Sequence, residues 1–421
     1  MKIVITLIFS LSCVLLTADE PDVNWSQWRG NNRDSVATGN WPNELSESNL
    51  KTVWSKKFGP SYSGPIVLGD TVFVTETRDR KEEVVFALDI NDGSKKWQLE
   101  WDGAMTVPFF ARKNGSWIRS TPATDGERLY VAGILGRFVC IDAETGKEVW
   151  NVDFSERYGV KNEDFGHVCS PLIIDADETK DKYVYIQCNA GFIKMDRLTG
   201  KEVWRTLYSE GGIMVSGAFA SPYVATVAGK KQILVQTRTD LAGVDIELGK
   251  LLWKQPVPNF RGMNILTPTV LGNTVFTSSY NHRSFGFEVS HSGESFSVAE
   301  KWTASGKAYM SSPVVIGDNA YVHLQSRRIA SFNLKSGETN WTSKKRFGEY
   351  WSMVANGDQI LALDSRGSLC LMKANPEKFE LVAEVKLETN DSWAHLAVVE
   401  DRVYVRGLES MTVYKWTKQE E

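Results

Sequence analysis

Eight side chains in this chain sit close ahead of a Ser-Pro or Thr-Pro step, or of the place where such a step has been lost. They are Tyr62, Arg119, His167, Asn264, Tyr309, Trp351, Trp393 and His395. One guanidinium, two imidazoles, one amide and four aromatic rings form a set suited to holding a small molecule or a peptide: apolar surface with a few placed polar groups. It is poorly suited to bond breaking. The chain contains no Gly-x-Ser-x-Gly, no His-Glu-x-x-His and no phosphate loop, so neither an activated serine, a zinc-bound water nor a phosphate cradle is indicated. Asp240, Asp245 and Glu247 alternate along one stretch, but Asp245 stands where related segments carry a turn-preceding Asp, and the group reads as structural.

The elements that must position these residues come from a repeat. Its clearest copy runs from Ser120-Thr121-Pro122 through strands Arg128 to Ala132 and Phe138 to Asp142, the turn Ala143-Glu144-Thr145-Gly146-Lys147, and Glu148-Val149-Trp150. It recurs from Ser170-Pro171 to Trp204, from Ser221-Pro222 to Trp253 and from Ser312-Pro313 to Trp341. Looser copies run from Gly64-Pro65 to Trp97 and from Thr267-Pro268 to Trp302, and two without the proline begin at Trp351-Ser352-Met353 and Trp393-Ala394-His395. That makes eight units of short strands joined by Gly, Asp and Asn turns, with no helical periodicity, which predicts an all-β, eight-bladed β-propeller of four-stranded antiparallel blades. Trp97, Trp150, Trp204, Trp253, Trp302 and Trp341 end the outer strands and read as structural docking groups between blades. The last copy stops one strand short at Trp416, whereas Leu50 to Ser55 near the start resembles a lone outer strand with its own Trp54. The N-terminal strand is therefore expected to complete the last blade and remove an open sheet edge.

Met1 to Ala18 holds one lysine and then an apolar run before Asp19-Glu20, the pattern of a secretory leader. Ser10-Leu11-Ser12-Cys13 argues less for a lipid anchor than for a cleaved leader. No later run approaches the roughly 20 apolar residues of a membrane-spanning helix. The division expected is a leader at 1–18, an extension at 19–49, the propeller at 50–416 and a tail at 417–421, in a periplasmic or secreted monomer. With 48 Lys and Arg against 52 Asp and Glu and no basic block, nucleic acid is not an expected partner. The partners indicated are an envelope protein or a small-molecule or saccharide ligand.

Four cysteines remain beyond the leader. Placing Ile174 opposite Tyr183 across an acidic hairpin sets Cys169 opposite Cys188, where a disulfide would form if the geometry suits; free buried thiols are the alternative. Cys140 and Cys370 read as free. No CxxC or clustered ligand set suggests a metal. Two long connections stand out. Gln98 to Ile118 carries Trp101, Phe109, Phe110 and Arg112, suited to a protein partner. Asn151 to Val168 carries Asp153, Glu156, Arg157, Glu163 and Asp164, and reads as a solvated acidic loop, since it lacks calcium-loop spacing.

The run Asp142 to Trp150 resembles the tryptophan-docking repeat of the pyrroloquinoline quinone (PQQ) propeller superfamily. Trp25-Ser26-Gln27-Trp28-Arg29-Gly30-Asn31-Asn32-Arg33 is similar to the N-terminal signature of secreted bacterial propellers related to the assembly factor BamB. The resemblance covers nearly all of Asn24 to Trp416, and it implies a binding or scaffolding module of the envelope. The same resemblance implies a second reading, a PQQ-dependent dehydrogenase acting on alcohols or sugars, with PQQ and calcium as its cofactors. The enzymes of that superfamily hold PQQ beneath a ring of two adjacent cysteines, and this chain has no adjacent cysteine pair. The residues themselves name no cofactor and no catalytic group.

Overall fold

The computed structural model describes residues 24–109, 115–174, 182–208, 217–387, 389 and 391–417. Its strands form eight antiparallel sheets arranged as an eight-bladed propeller, seven of them four-stranded. Blade 2 shows why these sequences make blades. Its inner strand Ala123–Thr124 and middle strands Arg128–Ala132 and Arg137–Asp142 are almost wholly buried, while the outer strand Glu148–Asp153 is largely exposed. A middle strand packs against neighbouring blades on both faces, so it is apolar throughout instead of alternating. Proline stands just before the innermost strands, where a sheet tolerates a residue that cannot donate to the ladder.

Blade 3 is the exception, with strands Tyr183–Cys188, Gly191–Asp196 and Glu202–Thr206 and only the isolated Leu172–Tyr185 bridge in place of an innermost strand. That bridge has the register expected from the sequence, but no disulfide follows. The ladder does not continue to Cys169, whose Sγ donates instead to Ala220 O in blade 4 at 3.1 Å, while Cys188 turns the hairpin opposite Gly191. Both thiols are free. Burial holds the Cys169 thiol far above its ordinary pKa.

Ring closure is as expected. Leu50–Lys57 pairs antiparallel with Ser410–Trp416, from Leu50 opposite Trp416 to Lys57 opposite Ser410. The outer-strand tryptophans tie each blade to the next. Trp54, Trp97, Trp150, Trp204, Trp302 and Trp341 each donate Nε1–H to a backbone carbonyl in the following blade at 2.9–3.1 Å. Trp253 departs from this rule and donates to Gln232 Oε1 in its own blade at 2.7 Å. The turn glycine has two reasons to be glycine. Gly146 has φ +73°, and a Cβ there would lie 2.6 Å from the Trp97 ring of the preceding blade.

The two long connections are shorter than they read. The strand Lys95–Asp102 absorbs Trp101, which is buried and donates to Glu83 at 2.9 Å. In the acidic loop, a short helix Phe154–Tyr158 uses Asp153 as its N-cap. Phe110 and Arg112 lie outside the described residues, as does the leader.

The segment 24–37, expected as an extension, packs inside the ring as a plug. It is held by Trp25 bonding to Val67, Ser26 O accepting from Thr124 N, and Ala37 pairing with Ala355. Arg29 and Arg33 are both buried. Arg33 donates to Pro222 O (2.9 Å), Ser170 O (3.2 Å), Pro171 O and Gln27 Oε1 (3.0 Å). Arg29 donates to Pro313 O and to Ser35 Oγ. Two guanidinium forks thus collect carbonyls from blades 3, 4 and 6, a task that suits their planar donor geometry.

Candidate functional site

Above the plug, a pocket opens on the ring axis. Each blade contributes one residue to its wall: Tyr62, Arg119, Val168, Phe219, Ile265, Met310, Tyr350 and Trp393, in blade order. Where the Ser/Thr-Pro step survives, each of these stands three residues ahead of the proline. Two residues further along the extended chain the side chains point the same way again, and they form the floor: Thr121, Ser170, Ser221, Thr267, Ser312 and His395, with Trp28 of the plug.

The floor is a hydrogen-bonded belt. Gly64 N donates to Thr121 Oγ1, Thr121 N to Ser170 Oγ, Ser170 N to Ser221 Oγ, Ser221 N to Thr267 Oγ1 and Thr267 N to Ser312 Oγ, at 2.9–3.3 Å. Each hydroxyl therefore satisfies a backbone N–H of the preceding blade that the innermost strand leaves unpaired. Blade 1 carries Gly64 at this position because His395 crosses it; a Cβ there would meet His395 O at 2.7 Å.

Arg119, Tyr62, Trp393 and Tyr350 make one continuous wall. The Arg119 guanidinium lies 5.9 Å from the Tyr62 ring centre, Tyr62 is 5.7 Å from Trp393, and Tyr350 stacks parallel to Trp393 at 6.1 Å. Arg119 makes one hydrogen bond, to Gly115 O at 2.6 Å, and its Nε is buried without a partner. Burial lowers its pKa to about 10, so it keeps its charge at neutral pH. His395 is neutral: burial and the nearby Arg29 cation bring its pKa down to about 3. Its Nδ1–H donates to Leu396 O, so Nε2 accepts from Ser35 Oγ at 3.3 Å. No carboxylate lines the pocket among the described residues.

Of the eight residues singled out by sequence, Tyr62, Arg119, Trp393 and His395 meet in this pocket, and the other four do not. His167 is buried against Phe154, with its ring against Cys169 O and 3.6 Å from Glu163. Asn264 is buried and donates to Arg238 O, and Tyr309 packs on Tyr280 at 4.7 Å. Trp351 is fully buried between His323 and Phe347. The reason is parity. The four that meet stand at odd offsets from the proline or its equivalent and the four that miss stand at even offsets, so the latter face the gaps between blades. Reading every second residue back from the proline would have found Phe219 and Tyr350. Trp28 carries no such signal. Among the described residues no group of three or more His, Cys, Asp or Glu is placed to hold a metal ion.

The family model for outer membrane protein assembly factor BamB matches residues 33–116 and 81–343. The chain is 22% identical over 355 residues to outer membrane protein assembly factor BamB of Moranella endobia, covering 80% of this chain and 82% of that one. It is 25% identical over 182 residues to a quinoprotein ethanol dehydrogenase of Pseudomonas putida, covering 40% of this chain and 27% of that one. Among solved structures, BamB of Moraxella catarrhalis superposes with a TM-score of 0.63 at 16% identity, over 88% of this chain and 99% of that one. A quinohemoprotein alcohol dehydrogenase of Pseudomonas putida superposes with a TM-score of 0.52 at 14% identity, over 95% and 81%.

Proposed function

The chain belongs to the outer membrane protein assembly factor BamB family, and from that premise we propose that it is a binding and scaffolding propeller of the cell envelope, exported by its Met1 to Ala18 leader, whose axial pocket holds a segment of an envelope protein. The observation that carries this reading is the pocket lining: an aromatic wall and hydroxyl floor with one cation and, among the described residues, no carboxylate to act as general acid or base. Such a surface holds a ligand. Its one imidazole is a poor proton carrier at neutral pH, since His395 is neutral and already engaged. No helix among the described residues is long and apolar enough to cross a membrane.

A dehydrogenase using PQQ and calcium is the second reading, favoured by the aromatic wall and the likeness to quinoproteins. Calcium takes six to eight oxygen ligands, carboxylates prominent among them. The described lining residues supply hydroxyls and no carboxylate, so the residues present do not fit the metal and no step is derived through it.

The test is isolation of the tagged, mature protein from mildly cross-linked envelopes. A stoichiometric envelope protein is expected with the wild type and lost with Trp393→Ala, provided the variant keeps its thermal transition. Dye-linked oxidation with added PQQ and Ca²⁺ is expected to stay at background. Dye reduction on alcohols or sugars that vanishes in Trp393→Ala would overturn the reading in favour of the second.

A further inference from the structure

Resting on that reading, the geometry points to the chemistry of the segment the pocket accepts: an apolar chain end presenting a carboxylate to Arg119 and the hydroxyl belt. Two independent observations carry it. First, Arg119 is a cation without an anion. Its Nε is buried and unbonded, and no ion pair involves it among the described residues. A half-buried charge left without a counter-charge is unfavourable, and a ligand carboxylate is the partner that matches the guanidinium fork.

Second, the belt hydroxyls still have protons to give. Thr121, Ser170, Ser221 and Ser312 each accept a backbone N–H. Their own O–H groups make no hydrogen bond to a described protein acceptor, whereas Thr267 donates to Ser221 O. A hydroxyl holds one donor and two acceptor lone pairs, so these four have spent acceptor capacity and kept the donor. Each keeps its O–H and one lone pair, so the floor can donate to an oxyanion held by Arg119, and it is the unpaired cation that selects an anion. Beside this polar side, Phe219, Met310 and Ile265 leave room for an apolar side chain.

The carboxylate has two polypeptide sources, a C-terminus or an Asp or Glu side chain, and one titration separates them. Tryptophan fluorescence of the mature protein, read through Trp28 and Trp393, is followed with Gly-Ser-Gly-Ser-Leu bearing a free C-terminus, with its C-terminal amide, and with the amide of Gly-Ser-Gly-Leu-Glu. The free acid is expected to bind about 10-fold or more tightly than its amide, as charge-assisted hydrogen bonds require. If the Glu-bearing amide matches the free acid, a side chain suffices; if it matches the plain amide, the pocket reads a C-terminus. Arg119→Gln should erase the preference while thermal unfolding stays unchanged, and Arg119→Lys should restore part of it. Equal binding of acid and amide, or a preference that survives Arg119→Gln, overturns the inference. The outcome is separate from envelope capture: a partner retained without any acid preference defeats only the carboxylate, whereas a clear preference with no envelope partner defeats the scaffolding role.

Discussion

Replacing Arg33 by Met keeps an unbranched stem in the plug but removes every donor of the fork. Four acceptors then lose a partner: Ser170 O, Pro171 O, Pro222 O and Gln27 Oε1. Removing a hydrogen-bonding partner from a buried polar group costs about 1–3 kcal/mol per group. Part of this is returned because the guanidinium itself was buried at a cost, visible in its pKa, which burial lowers to about 9. The four lost bonds, less the desolvation returned, leave a net cost of about 3–5 kcal/mol. For 421 residues the unfolding entropy is about 0.9 kcal/mol/K, so that loss lowers the Tm by about 3–6 °C. Scanning calorimetry of wild type, Arg33→Met and Arg33→Lys measures it, and lysine should fall between, because one ammonium cannot reach all four acceptors as a fork does. An unchanged Tm would refute the plug as a stabilising element. A higher Tm for Met would mean that desolvation of the guanidinium outweighs its bonds.

Two other substitutions probe the blades. Glu83 is buried and accepts from Ile134 N at 2.7 Å and Trp101 Nε1 at 2.9 Å, joining blade 1 to blade 2, and burial raises its pKa from 4.5 to about 7. An acid whose pKa is raised by folding retains its proton longer in the folded state, so stability falls as pH rises from about 4.5 to about 7. The loss is about 3 kcal/mol, and urea midpoints across that range should show a slope in the wild type that Glu83→Gln lacks. Gly146→Ala forces an L residue to φ +73° and a Cβ to 2.6 Å from Trp97; a loss of about 2–4 kcal/mol is expected by urea unfolding, and a loss below 1 kcal/mol would mean the tryptophan moves aside freely.

The ring was legible in the sequence because its signals are local and repeated. The turn Asp142 to Gly146, the outer Trp150 and the step before Pro122 each recur at a near-constant spacing, and the lone strand at Leu50 matched the gap left after Trp416. The pocket was legible by half. Chemistry near the proline does not encode the two-residue alternation that decides whether a side chain faces the axis or the next blade, so it points to Trp351 at the rim, where its neighbour Tyr350 stands. The plug was not legible at all. Arg33 and Arg29 find their carbonyls 137 to 284 residues away, and no periodicity in 24–37 encodes such contacts. The same holds for Cys169, whose thiol is satisfied by Ala220 O in another blade.

The most direct measurement places a photo-crosslinking residue at Met310, on the pocket wall, and another at Val203, exposed on an outer strand, in the exported protein in living cells. Capture of an envelope segment on the axis predicts a discrete covalent adduct from position 310 that weakens in the Arg119→Gln background, with none from position 203. An adduct from position 203 alone would contradict the account and move the binding surface to the outer edge of the blades.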